Sequence, residues 1–402
     1  MLSVDEQMHI IKSGVSQIVP EAELRKKLER KEPLNVKLGV DPTAPDLHLG
    51  HAVPLRKMRQ LQDLGHHVTL IIGNGTALIG DPSGRNSTRP PLTSAQIAEN
   101  AQTYIEQAFK VLDESKTDLV YNADWLLKMN LEDLLGLTSN FTVARILERD
   151  DFSNRYKNQQ SISLHEFLYP TLQAYDSVKI KADIEMGGND QLFNLLAGRD
   201  LMSAMDMEPQ VCITMPLLEG TDGVRKMSKS YKNYVALTDE PSDMFGKIMS
   251  IPDDMIVRYA RLASSMSVEE ADKIEAGLKD DSLHPNKVKR ALARNIVAIY
   301  HDEQAAIDAE ANFDALFKEH QIPDDVEEFA FDLSGDEVYL AKIISDAKMA
   351  SSIGEARRLI DGGGVRIDGE AVEKGVYNVE REAIENKVLQ VGKRKYKRIV
   401  AL

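Results

Sequence analysis

The sequence predicts an α/β protein: a parallel-sheet domain with a helical insertion, then an α-helical domain, then a small α+β module. Three observations predict it. Two short apolar, β-prone runs, residues 36–40 and 67–73, flank a helix-spaced segment at 51–64. Residues 241–317 carry Met, Ile, Leu and Ala at helical spacing. Near the end, a basic helix, a glycine turn and a hairpin signal succeed one another over residues 352–369.

Within the first domain, Val53, Leu55, Met58, Leu61 and Leu64 can share one helix face, and Gly65 ends it. Strand, helix and strand at this spacing make a βαβ unit and imply a parallel sheet. Ligands of such sheets lie beyond the carboxyl ends of the strands. Asp41-Pro42-Thr43 and Gly80-Asp81-Pro82-Ser83-Gly84 would stand there. Residues 121–205 read as mostly helical, interrupted by a strand at 182–186 that ends in Gly187-Gly188-Asn189-Asp190-Gln191. Another strand is expected within 210–218. The expected boundaries are 1–223 for the sheet domain with its insertion at about 121–205, 224–325 for the helical domain, 326–335 for a linker and 336–402 for the terminal module.

The net charge of −15 argues against general coating of nucleic acid. From Tyr339 to Leu402, however, thirteen Lys and Arg face nine Asp and Glu. A basic terminal module on an acidic body suggests one local polyanion site. Cys212 is the sole cysteine, so no intrachain disulfide or thiolate cluster can form. No apolar run reaches membrane-spanning length, and Met1-Leu2-Ser3-Val4-Asp5-Glu6 lacks the pattern of a signal peptide. A cytoplasmic protein is expected.

Lys226-Met227-Ser228-Lys229-Ser230 offers two ammonium groups, two hydroxyls and no carboxylate. Such a loop suits a polyphosphate, though alone it could be a solvated turn. His48-Leu49-Gly50-His51 places two histidines three apart at a helix start, where free N–H groups favour phosphate. Gly50 leaves room for a flat ring against the backbone; surface histidines beside a cap are the plainer alternative. No further His, Cys or carboxylate at convincing spacing points to a tight metal site. Arg85 and Arg89 follow a glycine-flanked turn and could clamp pyrophosphate or be solvated. Tyr169, Gln173 and Asp176 form one helical stripe whose phenol, amide and carboxylate suit an α-ammonium group or a ligand hydroxyl. A wet helix face would also explain them. Arg357, Arg358 and Arg366 lie in the terminal basic helix and strand, which suit RNA backbone contacts or a docking role. Lys393 to Arg398 adds further positive charge.

Taken in this order, the motifs resemble the class I aminoacyl-tRNA synthetases. His48-Leu49-Gly50-His51 is similar to their HIGH signature, and residues 226–230 match the KMSKS signature letter for letter. Tyr169-Pro170-Thr171-Leu172-Gln173-Ala174-Tyr175-Asp176 with Gly187-Gly188-Asn189-Asp190-Gln191 narrows the resemblance to the bacterial tyrosyl branch, and the terminal module resembles the RNA-binding domain that ends those enzymes.

The resemblance implies a Rossmann-like catalytic domain, and a homodimer formed through the insertion. It implies ATP as substrate with Mg²⁺, no tightly bound metal or organic cofactor, and tyrosine and tRNA(Tyr) as partners, with no membrane. It implies that His48, His51, Lys226 and Lys229 stabilise the transferring phosphates, assisted by Arg85 and Arg89. Gly39, Asp41, Thr43, Gly50, Gly188, Asp190, Gln191, Met227, Ser228 and Ser230 would complete the ATP site. Asp81, Tyr169 and Gln173 would hold the ammonium group of tyrosine and Asp176 its hydroxyl. Asn122, Asp41 and Gln191 would line the same pocket. Many members place a tyrosine four residues before the Asp of Asp-Pro-Thr, where it bonds the substrate hydroxyl. Lys37 stands there in this chain, as in another subgroup with a KMSKS loop, and is a candidate tyrosine contact.

Overall fold

A computed structural model describes residues 2–42, 46–82, 93–317, 326–333, 335, 337–392 and 395–402. Two compact units emerge, Met1–Ile307 and Asp308–Leu402.

The first unit is organised around six strands: β1 (Gln17–Val19), β2 (Asn35–Val40), β3 (His67–Ile72), β4 (Thr117–Tyr121), β5 (Ile184–Gly188) and β6 (Val211–Met215). Their spatial order is β1-β6-β5-β2-β3-β4. Every neighbouring pair is parallel except β1 with β6. The central strands are nearly continuously buried, as parallel strands under helices must be. Their apolar runs made them legible in the sequence. Strands β1 and β4 were not expected: the first has three residues, and the second is a half-buried edge without an apolar run.

From β2 the chain moves outward to β3 and β4, then returns to β5 and β6 on the other side of β2. The order reverses between β2 and β5, and a crevice opens there at the strand carboxyl ends. Asp41 leaves β2 at that point, and the Asn189–Gln191 turn leaves β5 beside it. The Leu49–Asp63 helix joins β2 to β3 and buries Val53, Leu55, Met58 and Leu61, the expected face. Helices Leu131–Thr138, Val143–Ile146, Asp150–Lys157 and Leu168–Ile180 lie between β4 and β5. Pro170 sits in the first turn of the last of these, where a missing N–H costs nothing.

Helices Pro241–Met249, Ile256–Ala263, Val268–Lys279, Pro285–Tyr300 and Glu303–Phe317 follow the lysine loop. The sequence reading set these apart as a domain. Up to Ile307 they belong instead to the same compact unit as the sheet. Ile256–Ala263 packs on Leu49–Asp63, and Arg56 Nε donates to the Ser264 carbonyl at 3.1 Å. Among the described residues no helix is long and apolar enough to cross a membrane.

The second unit holds β7 (Glu328–Phe331), β8 (Glu337–Tyr339), β9 (Val365–Ile367), β10 (Glu370–Ala371), β11 (Asn378–Glu380), β12 (Val388–Val391) and β13 (Lys395–Ala401). Five form a sheet in the order β10-β9-β12-β13-β7, and β11 pairs with β8. Helices Leu340–Asp346 and Ile353–Asp361 contribute to its core with Ile343, Ile344, Ala356 and Ile360. Strand β7 lies inside the stretch expected as a linker, where it pairs in parallel with β13. Its acidic surroundings masked the apolar alternation of Phe329 and Phe331, which pack on the core of this unit. Strands β9 and β10 turn through Asp368 and Gly369, both at positive φ, as an Asp-Gly hairpin requires.

Candidate active site

A cavity of about 610 Å³ occupies the crevice beyond β2 and β5. At one end stand the histidines. His48 caps the Leu49–Asp63 helix with extended backbone, and its N–H donates to His51 Nδ1 at 3.4 Å. The two rings stack, with centroids 3.8 Å apart. Burial drives the His48 ring down to about 3, with neighbouring His51 and Lys229 adding to the effect. Burial and then Lys229 take His51 down to about 4. Both rings are therefore neutral at physiological pH and offer N–H donors rather than charge. Among the described residues at this end, positive charge comes from Lys226 and Lys229.

The lysine loop is brought to the histidines by several contacts. The Gly50 N–H points at Met227 Sδ, 3.4 Å away. A side chain at residue 50 would begin 3.0 Å from His48 Nδ1 and 3.5 Å from Met227 Cβ, so only glycine leaves this seat open without displacement. Two backbone bonds clamp the following segment: Leu49 N–H to the Val235 carbonyl and Leu237 N–H to the Leu47 carbonyl, each 3.0 Å. Asn233 is buried and shapes the loop, accepting from the Ser228 N–H at 2.9 Å and donating to the Lys226 carbonyl at 3.2 Å. Lys226, Met227 and Ser228 line the cavity. Lys229 and Ser230 are exposed beside it; Lys229 Nζ lies 2.7 Å from the Asp46 carboxylate, and the Ser230 N–H donates to Ser228 Oγ.

The opposite end is polar and ordered. Tyr169, Gln173 and Asp176 all face the cavity from one stripe of the Leu168–Ile180 helix. The Tyr169 hydroxyl donates to Asp41 at 3.0 Å, and the Thr76 hydroxyl does so at 2.7 Å. Burial raises Asp41 to about 7. Gln191 Nε2 donates to Asp81 at 2.7 Å, and Asn194 holds the other end of the Gln191 amide at 3.0 Å. Asp176 is buried and accepts from Trp125 Nε1 at 2.8 Å and Asn122 Nδ2 at 3.2 Å. Burial nevertheless raises its carboxyl to about 6. Gly39, Gly188 and Asp190 also line the cavity.

The expected residues are thus largely brought together, with three kinds of exception. Lys37 is fully buried behind the cavity and pairs with Glu185 at 2.8 Å; it does not line the pocket. Thr43, Arg85 and Arg89 lie outside the described residues, as do Lys393 and Arg394. Arg357, Arg358 and Arg366 belong to the second unit. Arg357 and Arg358 are exposed there, whereas Arg366 donates to the Gly369 carbonyl at 3.0 Å. Thr76, Trp125, Asp46, Asn233 and Glu185 are polar partners of these residues that the sequence reading did not single out. Trp125 and Glu185 left a trace: one is the sole tryptophan, the other a charge inside an apolar strand.

His48 and His51 also set an acid limit. Their folded-state values lie below the 6.5 of an unfolded histidine, so the unfolded chain binds more protons between the two. The histidines' contribution to stability is fully present above pH 6.5 and is lost as pH drops towards 4, while Asp41 and Asp176, raised to about 7 and about 6, act in the opposite sense over the same range. Comparing urea unfolding at pH 7.5 and pH 5 in wild type and in a His48 variant isolates the histidine part, expected to exceed about 1 kcal/mol. Most of this belongs to His48, since the His51 residue is more open to solvent. The His48→Asn variant should lose less stability than wild type over that range.

Two neutral histidines and the lysine loop thus face a polar pocket across the switch point of a parallel sheet. Residues 29–318 match the family described as tRNA synthetases class I (W and Y), and the chain belongs to that family. Residues 340–384 match the S4 domain. The chain is 48% identical over 403 residues to the tyrosine–tRNA ligase of Geobacter metallireducens, covering 99% of this chain and 100% of that one. It is 49% identical over 398 residues to that of Thermotoga maritima, covering 99% and 98%. In fold it is similar to the crystal structure of tyrosyl-tRNA synthetase complexed with L-tyrosine from Archaeoglobus fulgidus, with a TM-score of 0.63, 24% identity, and coverage of 76% of this chain and 100% of that one.

Proposed function

We infer that this chain catalyses tyrosine–tRNA ligation. The tyrosine carboxylate attacks the α-phosphorus of ATP, forming tyrosyl-adenylate and releasing pyrophosphate. The terminal ribose hydroxyl of tRNA(Tyr) then takes the tyrosyl group, and AMP leaves. The observation that carries the choice of amino acid is Asp176. Its buried carboxylate, oriented by Trp125 and Asn122, is an acceptor suited to a phenolic hydroxyl at the closed end of the pocket.

In this reading His48 and His51 donate N–H bonds to the phosphates as charge develops. Lys226 and Lys229 neutralise the leaving pyrophosphate, with Arg85 and Arg89 assisting. The Ser228 and Ser230 hydroxyls and the backbone at Gly39, Gly50, Met227 and Gly188 bound the nucleotide, with Thr43, Asp190 and Gln191. No side chain acts as a nucleophile, so the rate comes from positioning and from donors aimed at developing charge. Mg²⁺ enters with ATP and neutralises phosphate charge when bound, held mainly by phosphate oxygens and water. Asp81, Tyr169 and Gln173 hold the ammonium group of tyrosine.

Helices from Pro241 onward take the anticodon side. Arg357, Arg358 and Arg366 contact tRNA from the terminal module. Leu127, Leu131, Leu135, Val143 and Leu164, all exposed on the insertion, support its use as a homodimer face. We place the enzyme in the cytoplasm, where tRNA charging takes place.

Exchange of pyrophosphate into ATP tests the reading. Tyrosine is expected to drive it. Exchange driven by tryptophan alone would overturn the assignment, and no exchange with any amino acid would point to a non-catalytic RNA-binding scaffold. A chain ending at Phe317 should keep tyrosine-dependent exchange but lose most tRNA charging. Equal charging by both chains would remove the terminal module from tRNA recognition.

A further inference from the structure

Lys37 and Glu185 are partners across β2 and β5 in the parallel ladder, and both side chains are almost wholly removed from solvent. Their charges lie 2.8 Å apart. Replacing such a pair with apolar groups is often neutral for stability, so its presence does not follow from packing alone. What distinguishes it is what Glu185 does with its other lone pairs. Gln173 Nε2 donates to Glu185 Oε1 at 3.1 Å, Ser177 Oγ donates to Oε2 at 3.1 Å, and Gln210 Nε2 also donates to Oε2.

An ionised carboxylate only accepts hydrogen bonds. Facing Glu185, the Gln173 amide must therefore turn its NH₂ inward. Its carbonyl oxygen is left buried and, among the described residues, without a hydrogen-bond donor, on a side chain that lines the cavity. An ammonium group has donors and no acceptor, so it needs this amide orientation and would be repelled by the reverse one. Lys37 matters because its Nζ and the Gln173 Nε2 meet the same carboxylate oxygen, Oε1, so the ion pair fixes the acceptor that orients the amide.

We propose that Lys37 is a positioning residue for amino-acid recognition: by fixing the Glu185 carboxylate in place, it locks the Gln173 amide with its carbonyl towards the substrate ammonium group. The lysine acts at the ammonium end through Glu185; at Asp176 its charge is opposed by that of Glu185, so replacing both together disturbs the hydroxyl end less than replacing either alone. This rests on the reading that the pocket binds tyrosine.

The test replaces both charges, with Lys37→Met/Glu185→Gln, so that neither is left buried alone. Tyrosine KM and ATP KM are measured by pyrophosphate exchange, and 3-(4-hydroxyphenyl)propanoate, which lacks the ammonium group, serves as a competitive inhibitor. Tyrosine KM should rise by about 10-fold or more, the size expected for a lost bond to a charged group. The inhibition constant of the analogue and the KM for ATP should stay within about twofold of wild type, because neither ligand has a donor at Gln173. Should that pair fail to fold, Lys37→Met/Glu185→Leu removes the carboxylate with an apolar side chain, and the same selective loss is expected. Equal weakening of tyrosine and the analogue, or no weakening of either, would overturn the proposal and reduce the pair to a structural one. Failure of wild-type enzyme to use tyrosine at all would remove the functional reading itself.

Discussion

Replacement of Lys229 by alanine is expected to slow adenylate formation by about 10²–10³-fold, the usual effect of removing one donor aimed at a transition-state oxyanion. Tyrosine KM should change by less than about threefold, since an interaction made only in the transition state leaves ground-state binding intact. Two features make this the largest single loss expected at the phosphate end. The histidines are held neutral by burial, so they cannot supply the missing charge. Lys229 also has an alternative partner in Asp46, 2.7 Å away. That pair is surface-exposed and weak, so a triphosphate can draw the ammonium group across at little cost. Rapid-quench measurement of adenylate formation, beside equilibrium binding of tyrosine, separates the two effects. A comparable fall in both would place Lys229 in substrate binding instead. Asp46→Ala should leave the rate of the chemical step within a few-fold of wild type.

The second large effect is expected at Asp176. Asp176→Ala removes the hydroxyl acceptor and leaves Trp125 Nε1 and Asn122 Nδ2 without their shared partner. A site built to bond a hydroxyl rejects the analogue lacking it by about 10⁴–10⁵, a magnitude for which tyrosyl-tRNA synthetase is itself the standard example. The variant should lose at least about 10²-fold of the preference for tyrosine over phenylalanine, measured as the ratio of kcat/KM in pyrophosphate exchange. Wild-type enzyme should show a related pH effect. With the Asp176 carboxyl raised to about 6 by burial, its acceptor form is present above that pH and is lost as pH falls through it. Tyrosine KM should accordingly rise below pH 6 while ATP KM changes less. Unchanged selectivity in the variant would remove Asp176 from hydroxyl recognition.

Much of this site was legible because its chemistry is written in short strings. The histidine and lysine motifs, the Tyr169, Gln173 and Asp176 stripe and the turn after β5 each carry several polar groups within a few residues. Local spacing alone placed them on helix starts and loops. The supporting contacts were not legible, because they depend on pairings across the sheet. Thr76 reaches Asp41, Asn233 shapes a loop several residues before it, and Glu185 meets Lys37 only when β2 and β5 lie side by side. Lys37 shows the difference most clearly. Its position in the string suggested a pocket contact, but it lies further back along β2 than the cavity-lining Gly39 and Asp41, where it closes a buried ion pair. The same limit explains β7, whose partner β13 lies at the far end of its unit.

The backbone clamp between Leu47–Leu49 and Val235–Leu237 bears on how the enzyme is made. It joins chain positions almost two hundred residues apart, and it is what seats the lysine loop against the histidines. Local helices and the first strands can form while the chain is still short, but contacts of such sequence separation come late. A nascent chain that has not yet released Leu237 can own a folded βαβ unit and both histidines and still have no phosphate end. Assembly of the catalytic centre is thereby deferred until most of the first unit has been synthesised.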